Sequence, residues 1–380
     1  MLNILRPPPL AHHPVTAPRV ILFVMTAASS PTTTVTRASF GNLADGASVD
    51  LYTLKSSEVA ARIATYGACI VAIETADRDG NIADIVLGHN SAEEYLQGKE
   101  LYLGVVCGRF ANRIGKGQFT LDGKPIQTTI NNGPNMLHGG AEGFNRRNWQ
   151  AHEVPNGVEF TLVSTHGDQG FPGTLTATVR YTLNGNRLRL EYTATTDQLT
   201  VVNLTNHAYF NLSGEGNPSI LDHVLTLDAG HYTPIDATLI PTGEIATVSA
   251  TPFDFTQPVR IGERIGEDDE QLHRAGGYDH NWVVRGDAGT LRPAAEIFDP
   301  ATGRSLKVLT TEPGIQFYSG NFLDGSRTGK SGAQYVARSG FCLETQHFPD
   351  SPNHPNFPST ELQPGDIHRS TTDFIFTIQT

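Results

Sequence analysis

Charge is scarce in this 380-residue chain: Asp, Glu, Lys and Arg make up 17 % of it, against about 25 % in a typical soluble domain. That shortage argues against long helices laced with surface ion pairs. The charge present leans acidic, 39 carboxylates against 27 Lys and Arg for a net −12. A sequence-independent grip on phosphate backbones is therefore excluded, and no nucleic-acid partner is expected. Cysteine is nearly missing. Cys69, Cys107 and Cys342 are odd in number and far apart, with no C-x-x-C, so they read as buried small hydrophobes in a reducing compartment, neither bridges nor zinc ligands. Long hydrophobic runs are also lacking. The most apolar stretch, Val-Ile-Leu-Phe-Val-Met at 20–25, falls far short of the ~20 residues that span a bilayer, and no membrane association is expected. Arg19 before it and Ala27, Ala28 and Ser29 after it loosely imitate a signal peptide, but Pro7-Pro8-Pro9 and His12-His13 make a poor leading region. Residues 1–37, rich in Pro, Ala, Ser and Thr, are expected to be a disordered extension, and residues 38–380 one domain. The expected location is the cytoplasm, with the periplasm or export as the alternative if the apolar run acts as a signal.

What the chain has in quantity is turn residues, 38 Gly and 23 Pro, between alternating segments. Residues 174–183 place Ala177, Val179, Tyr181 and Leu183 on one face, and 187–195 place Leu188, Leu190, Tyr192 and Ala194 likewise. Asn184-Gly185 between them predicts a tight hairpin turn. The same period of two recurs at Val158, Phe160 and Leu162 and at Phe374, Phe376 and Ile378, and Asp122-Gly123 marks another tight turn. Helical signals are few. Ser91-Ala92-Glu93-Glu94 forms a capping box for about two turns through Leu96, and 261–272 holds another short piece. No linker or repeat divides the chain after residue 40, so the expected fold is all-β, one large antiparallel β-sandwich with a few short helices.

Five segments break the strand pattern with polar residues set among apolar ones: Gly108-Arg109-Phe110-Ala111-Asn112-Arg113-Ile114, Asn135-Met136-Leu137-His138-Gly139-Gly140, Asn203-Leu204-Thr205-Asn206-His207-Ala208-Tyr209-Phe210-Asn211, Tyr278-Asp279-His280-Asn281-Trp282, and Phe341-Cys342-Leu343-Glu344-Thr345-Gln346-His347. Burial makes an ionisable residue expensive, which marks these segments as site candidates. Taken singly, Arg113 could simply pair with a carboxylate, and His138 or His207 could be a satisfied core histidine. Together they supply a general acid/base inventory. The chain has no G-x-S-x-G, no H-E-x-x-H and no glycine-rich phosphate loop, which demotes hydrolase triads, zinc peptidases and nucleotide enzymes. His347 and His354 lack a third spaced ligand, and no metal is expected.

In order and spacing these segments, with Gly314-Ile315-Gln316-Phe317-Tyr318 and the continuation through Pro358, resemble the aldose 1-epimerase (galactose mutarotase) family over residues 40–380. The resemblance implies the family's β-supersandwich fold, no cofactor, a small aldose as substrate, and interconversion of the α and β anomers of free aldohexoses such as galactose and glucose. It leaves oligomeric state open. Residue by residue, it implies Glu344 as catalytic base and His207 as catalytic acid, on opposite sides of the sugar. It further implies Asn112, Arg113, His138, Asp279 and Gln316 as substrate-binding residues, with Gly139 and Gly140 letting the backbone approach the ligand. Arg109 is expected to support its loop, and Trp282 and Tyr209 to be core, though either could face the sugar ring. Two alternatives stay open on the residues alone. One is a glycoside hydrolase using Asp279 and Glu344 as its carboxylate pair; the other is a non-catalytic sugar-binding protein on the same scaffold.

Overall fold

A computed structural model describes residues 33–97 and 101–379. Alternation dictates the architecture. In the strand Leu175–Asn184 every second residue from Leu175 to Leu183 is buried, and in Arg187–Thr196 the same holds from Leu188 to Ala194. Each strand thus presents one apolar face, and the faces must be covered.

Three antiparallel sheets do so. The largest has nine strands, ordered Gln150–Val154, Gly157–Ser164, Leu175–Asn184, Arg187–Thr196, His368–Ile378, Arg304–Thr310, Arg292–Phe298, Val224–Leu227 and Val259–Arg260. A six-stranded sheet runs Tyr209–Phe210, Phe341–Gln346, Gly314–Tyr318, Asp279–Val284, Ala229–Thr233 and Ala246–Thr247. A five-stranded meander spans Thr34–Asn42 to Ile82–Asp84. One hydrophobic cluster takes side chains from all three, including Leu54, Ile63, Tyr181, Leu190, Phe317 and Leu343. This is the antiparallel β-sandwich expected.

The two sequence-read turns differ in detail. Asp122 and Gly123 both take positive φ, 49° and 70°, as a two-residue hairpin loop of the mirror-image type requires. The other hairpin pairs Asn184 with Arg187, so its loop is Gly185-Asn186, one residue later than expected. Only Gly185, at 59°, has positive φ there. Half of the capping box holds: Ser91 Oγ accepts from the Glu94 N–H at the start of the helix Ala92–Gln97, while the Glu94 carboxylate accepts from the Asn90 N–H, one residue before Ser91. The segment 261–272 divides into a 3₁₀ turn, Ile261–Glu263, and a helix, Glu270–Ala275, capped by Asp269 and closed by Gly276 at φ 65°. The first strand begins at Thr34, four residues ahead of the boundary expected at 38; residues 1–32 of the expected extension lie outside the described residues. Cys69, Cys107 and Cys342 are buried and unpaired, and no helix among the described residues is long and apolar enough to cross a membrane.

Candidate active site

The six-stranded sheet carries the centre of the site. Register places Gln316 opposite Glu344 and Tyr318 opposite Cys342 on one side, and Asp279 opposite Tyr318 on the other. The strand Phe341–Gln346 is buried throughout, and the period of two puts Cys342 and Glu344 on the same face. His207 arrives from a different segment. Its N–H donates to the Val105 carbonyl at 2.9 Å, and its own carbonyl accepts from Gly104 N–H at 2.9 Å. The loop is thereby tied to the chain just ahead of Arg109. His207 Nε2 stands 3.6 Å from Glu344 Oε1, and Nδ1 stands 3.5 Å from Cys342 Sγ.

The 112–113 and 137–138 segments lock together. Leu137 pairs with Arg113 in a short antiparallel ladder, and His138 N–H donates to the Asn112 carbonyl at 2.9 Å. In return the Asn112 N–H donates to His138 Nδ1 at 3.1 Å. Because Nδ1 is an acceptor, the neutral ring must carry its proton on Nε2, making His138 a donor. Asn112 and His138 both hold left-handed φ, 59° and 50°, and Asn112 Oδ1 accepts from the Arg113 N–H. Arg113 spans the site, with Nε donating to Asn132 Oδ1 at 3.2 Å and Nη1 3.9 Å from Asp279 Oδ2.

These groups surround a cavity of about 500 Å³ lined by Asn112, Arg113, His138, His207, Asp279 and Glu344, with Tyr102, Tyr209, Tyr318 and Phe322 among its aromatic walls. Burial governs their protonation. The Glu344 carboxyl is held well above the ordinary carboxylate range, first by desolvation and then by the Asp279 charge, with Arg113 pulling the other way. Desolvation pushes His207 down to about 4 and His138 well below its usual value, Arg113 adding to both. Asp279 is raised by burial, offset by Arg113 and by the Gln316 amide. Glu344 Oε2 is buried and has no hydrogen-bond partner among the described residues.

His138, His207 and Glu344 also offer ligand atoms within 4.8 Å of one another. A metal-bound histidine ordinarily donates its second ring N–H to an acceptor. His138 faces the Asn112 N–H instead, so a metal on its Nε2 would set two protons against each other or require imidazolate. The donor set fits proton transfer better than metal binding.

The expected residues thus converge, with four adjustments. Gln316 is not among the cavity-lining residues; it donates Nε2–H to Asp279 Oδ1 at 2.8 Å. Gly139 and Gly140 do not line the cavity either; a Cβ on Gly139 would stand 1.9 Å from the Gly108 carbonyl. That glycine admits a neighbouring loop, where a ligand was expected. Glu344 and His207 are side by side, not across the cavity. Trp282 is core, fully buried against Phe253, Phe255 and Phe317, while Tyr209 lines the cavity. Arg109 supports its loop as expected, donating to the carbonyls of Ser164, Pro172 and Gly173. Sequence reasoning missed Tyr102, whose ring lies 4.6 Å from that of His138 and 5.8 Å from that of His207. It also missed Asn132, Leu239, Phe322, Asp324 and Ser326 on the walls.

Comparison with known proteins gives a consistent answer. Residues 50–374 match the sequence model of a family described as aldose 1-epimerase. Galactose mutarotase of Bos taurus is 49 % identical over 345 residues, 90 % of this chain and 99 % of the relative. The aldose 1-epimerase of Escherichia coli K12 is 38 % identical over 337 residues, 87 % of this chain and 96 % of the relative. Among solved structures, a galactose 1-epimerase from Lactobacillus acidophilus superposes with a TM-score of 0.80 at 28 % identity, covering 92 % of this chain and all of its own.

Proposed function

The chain belongs to the aldose 1-epimerase family and interconverts the α and β anomers of aldoses, and from that premise we propose that Glu344 is the base and His207 the acid of ring opening. The observation carrying the assignment is the buried pair itself, Nε2 to Oε1 at 3.6 Å, on the wall of a cavity of sugar-binding size. The anomeric hydroxyl and the ring oxygen are bonded to the same carbon. Two adjacent groups therefore suit them better than two facing ones.

Glu344 takes the proton of the anomeric hydroxyl as the bond from the anomeric carbon to the ring oxygen breaks. That bond's electron pair goes to the ring oxygen, which takes the Nε2 proton of His207, leaving a free aldehyde. Rotation about the bond between the first two carbons turns the other face of the carbonyl to the hydroxyl. Closure returns the first proton from Glu344 and the second to His207, so enzyme and sugar both end balanced.

The reaction needs one proton on the pair, and burial, which raises the carboxyl and lowers the imidazole, opposes both groups being charged at once. Desolvation favours neutral carboxyl with neutral imidazole, the arrangement that accompanies the uncharged open-chain sugar; the ionised arrangement accompanies the closed ring. A site that brings both within reach lowers the barrier between them, each transfer contributing ~10²- to 10⁴-fold. His138, a fixed donor, together with Asn112, Arg113 and Asp279, would hold the remaining hydroxyls, with Gln316 steadying Asp279. Asp279 is already engaged by Gln316 and Arg113, which disfavours its use as a glycosidase carboxylate. The filled acid and base positions disfavour a purely binding role. Residues 38–380 would act as one catalytic domain, and the three buried thiols suit a reducing cytoplasm.

The test is polarimetric decay of fresh α-galactose and α-glucose. Glu344→Gln should lower kcat by ~10²- to 10⁴-fold with the fold intact; a variant as fast as the parent overturns the assignment.

A further inference from the structure

We propose that Cys342 is a positioning residue for the reaction: its sulfur accepts the Nδ1–H of His207 and so keeps Nε2 as the atom that exchanges protons with the sugar. The proposal rests on the acid role given to His207 above. An imidazole that donates from Nε2 and later takes the proton back must, in its neutral interval, carry its remaining proton on Nδ1. Otherwise Nε2 still holds a proton and cannot accept the one released on closure. Something must accept at Nδ1, and the fully buried Cys342 Sγ lies there at 3.5 Å, alongside a weaker approach to His207's own main-chain carbonyl.

Strand geometry explains why these two residues share His207. Cys342 and Glu344 are two apart on one strand and project from one face, their Cα atoms roughly 6.6 Å apart at ~3.3 Å per residue. The ring bridges that gap, with Nδ1 toward the first and Nε2 toward the second. Tyr102, Tyr209, Tyr318 and His138 pack around the ring within 6.4 Å, centroid to centroid. Cys342 itself does not line the cavity, so its effect on the reaction passes through His207.

The choice of sulfur has a chemical consequence. A carboxylate at Nδ1, as in a Ser-His-Asp triad, stabilises imidazolium and makes the ring a stronger base. Burial and the nearby carboxylates Glu344 and Asp279 keep the Cys342 thiol protonated and neutral, its pKa far above the usual range. A weak, uncharged acceptor fixes the tautomer without making the imidazolium a poorer acid. His138 shows the opposite arrangement, since a backbone N–H at Nδ1 confines its proton to Nε2. Two histidines with ring centroids 5.1 Å apart are thereby given different jobs by what touches Nδ1.

Cys342→Ala and Cys342→Ser separate positioning from packing, because both shorten the side chain by a similar volume while only serine restores an acceptor. The expected result is a kcat about 5- to 10-fold lower for Cys342→Ala with KM within twofold of the parent, and recovery to within about threefold for Cys342→Ser. Equal losses in the two variants, or no loss in either, overturn the proposal. A second readout needs no activity: ¹⁵N shifts of histidine-labelled enzyme at pH 7.5, assigned with a His207→Asn variant. The neutral His207 ring should carry its proton on Nδ1 in the parent and on both nitrogens by turns in Cys342→Ala. A proton on Nε2 in the parent overturns the proposal. If His207→Asn keeps full activity, the acid assignment fails separately, whatever the tautomer.

Discussion

At the scale of single residues, the site works by giving chemically similar groups dissimilar surroundings. Arg113 shows how much one side chain does: its Nε donates to Asn132 while Nη1 faces Asp279 across 3.9 Å, and its charge opposes the burial that raises Glu344 and Asp279. Lysine would keep the charge but not the planar fork. Arg113→Lys should therefore raise KM for galactose about 10-fold or more while kcat changes only a few-fold, the size of one charged hydrogen bond lost from substrate binding. Steady-state mutarotation rates over a range of galactose concentrations check this; a collapse of kcat at unchanged KM would assign Arg113 to the chemical step. At this scale the sequence was informative wherever a cavity-lining residue sits in a dense polar run, as with Glu344, His207 and Arg113. It was silent about Tyr102, Asn132 and Phe322, which lie on loops and carry no pattern; only the fold brings them to the cavity. It named Gln316 without its partner, because a motif does not say which neighbouring side chain, here Asp279, a residue will bond.

At the scale of elements, the question is what joins segments 69 and 137 residues apart, His138 to His207 and His207 to Glu344. Asn203 is the junction. Its amide donates to the carbonyls of Ala111 and His347 and accepts from His347 N–H, while its backbone bonds Arg109 and Ala111. The loop bearing Arg113, the loop bearing His207 and the strand bearing Glu344 are all tied to this one fully buried residue. Removing the amide takes the side-chain partner from three main-chain groups, the buried Ala111 carbonyl and the partly buried carbonyl and N–H of His347. Asn203→Ala should lower unfolding free energy by about 2–4 kcal/mol, measured by urea denaturation, and should reduce activity even at temperatures where the variant remains folded. A loss below 0.5 kcal/mol, on the order of an ordinary surface change, would show that the segments are held by packing alone. The strands themselves were legible, since period-two burial is written directly in residues 174–195. The junction was not, because an asparagine bonding backbone leaves no periodic trace. The one-residue shift of the Gly185-Asn186 loop has a similar cause: turn residues name a turn, while the pairing of the flanking strands decides which two occupy it.

At the scale of the whole molecule, the proposed acid/base pair, being buried, sets function against stability. The Glu344 carboxyl is raised in the folded protein relative to about 4.3 when unfolded. Below the unfolded value the group is protonated in both states and adds no pH-dependent penalty. Above it, the unfolded chain releases the proton and the folded protein retains it. The folded state then binds more protons, and stability falls as pH rises until the folded value is passed. Glu344→Gln removes this dependence while keeping shape and volume. The variant proposed to slow mutarotation should therefore gain stability relative to the parent as pH is raised from 4 to 8, the trade expected where an active site is held in an unfavourable state. Urea midpoints of both proteins across that range give the comparison. A gap independent of pH would mean that Glu344 titrates alike in the folded and unfolded chains, and that burial does not hold the single proton on which the proposed ring opening depends.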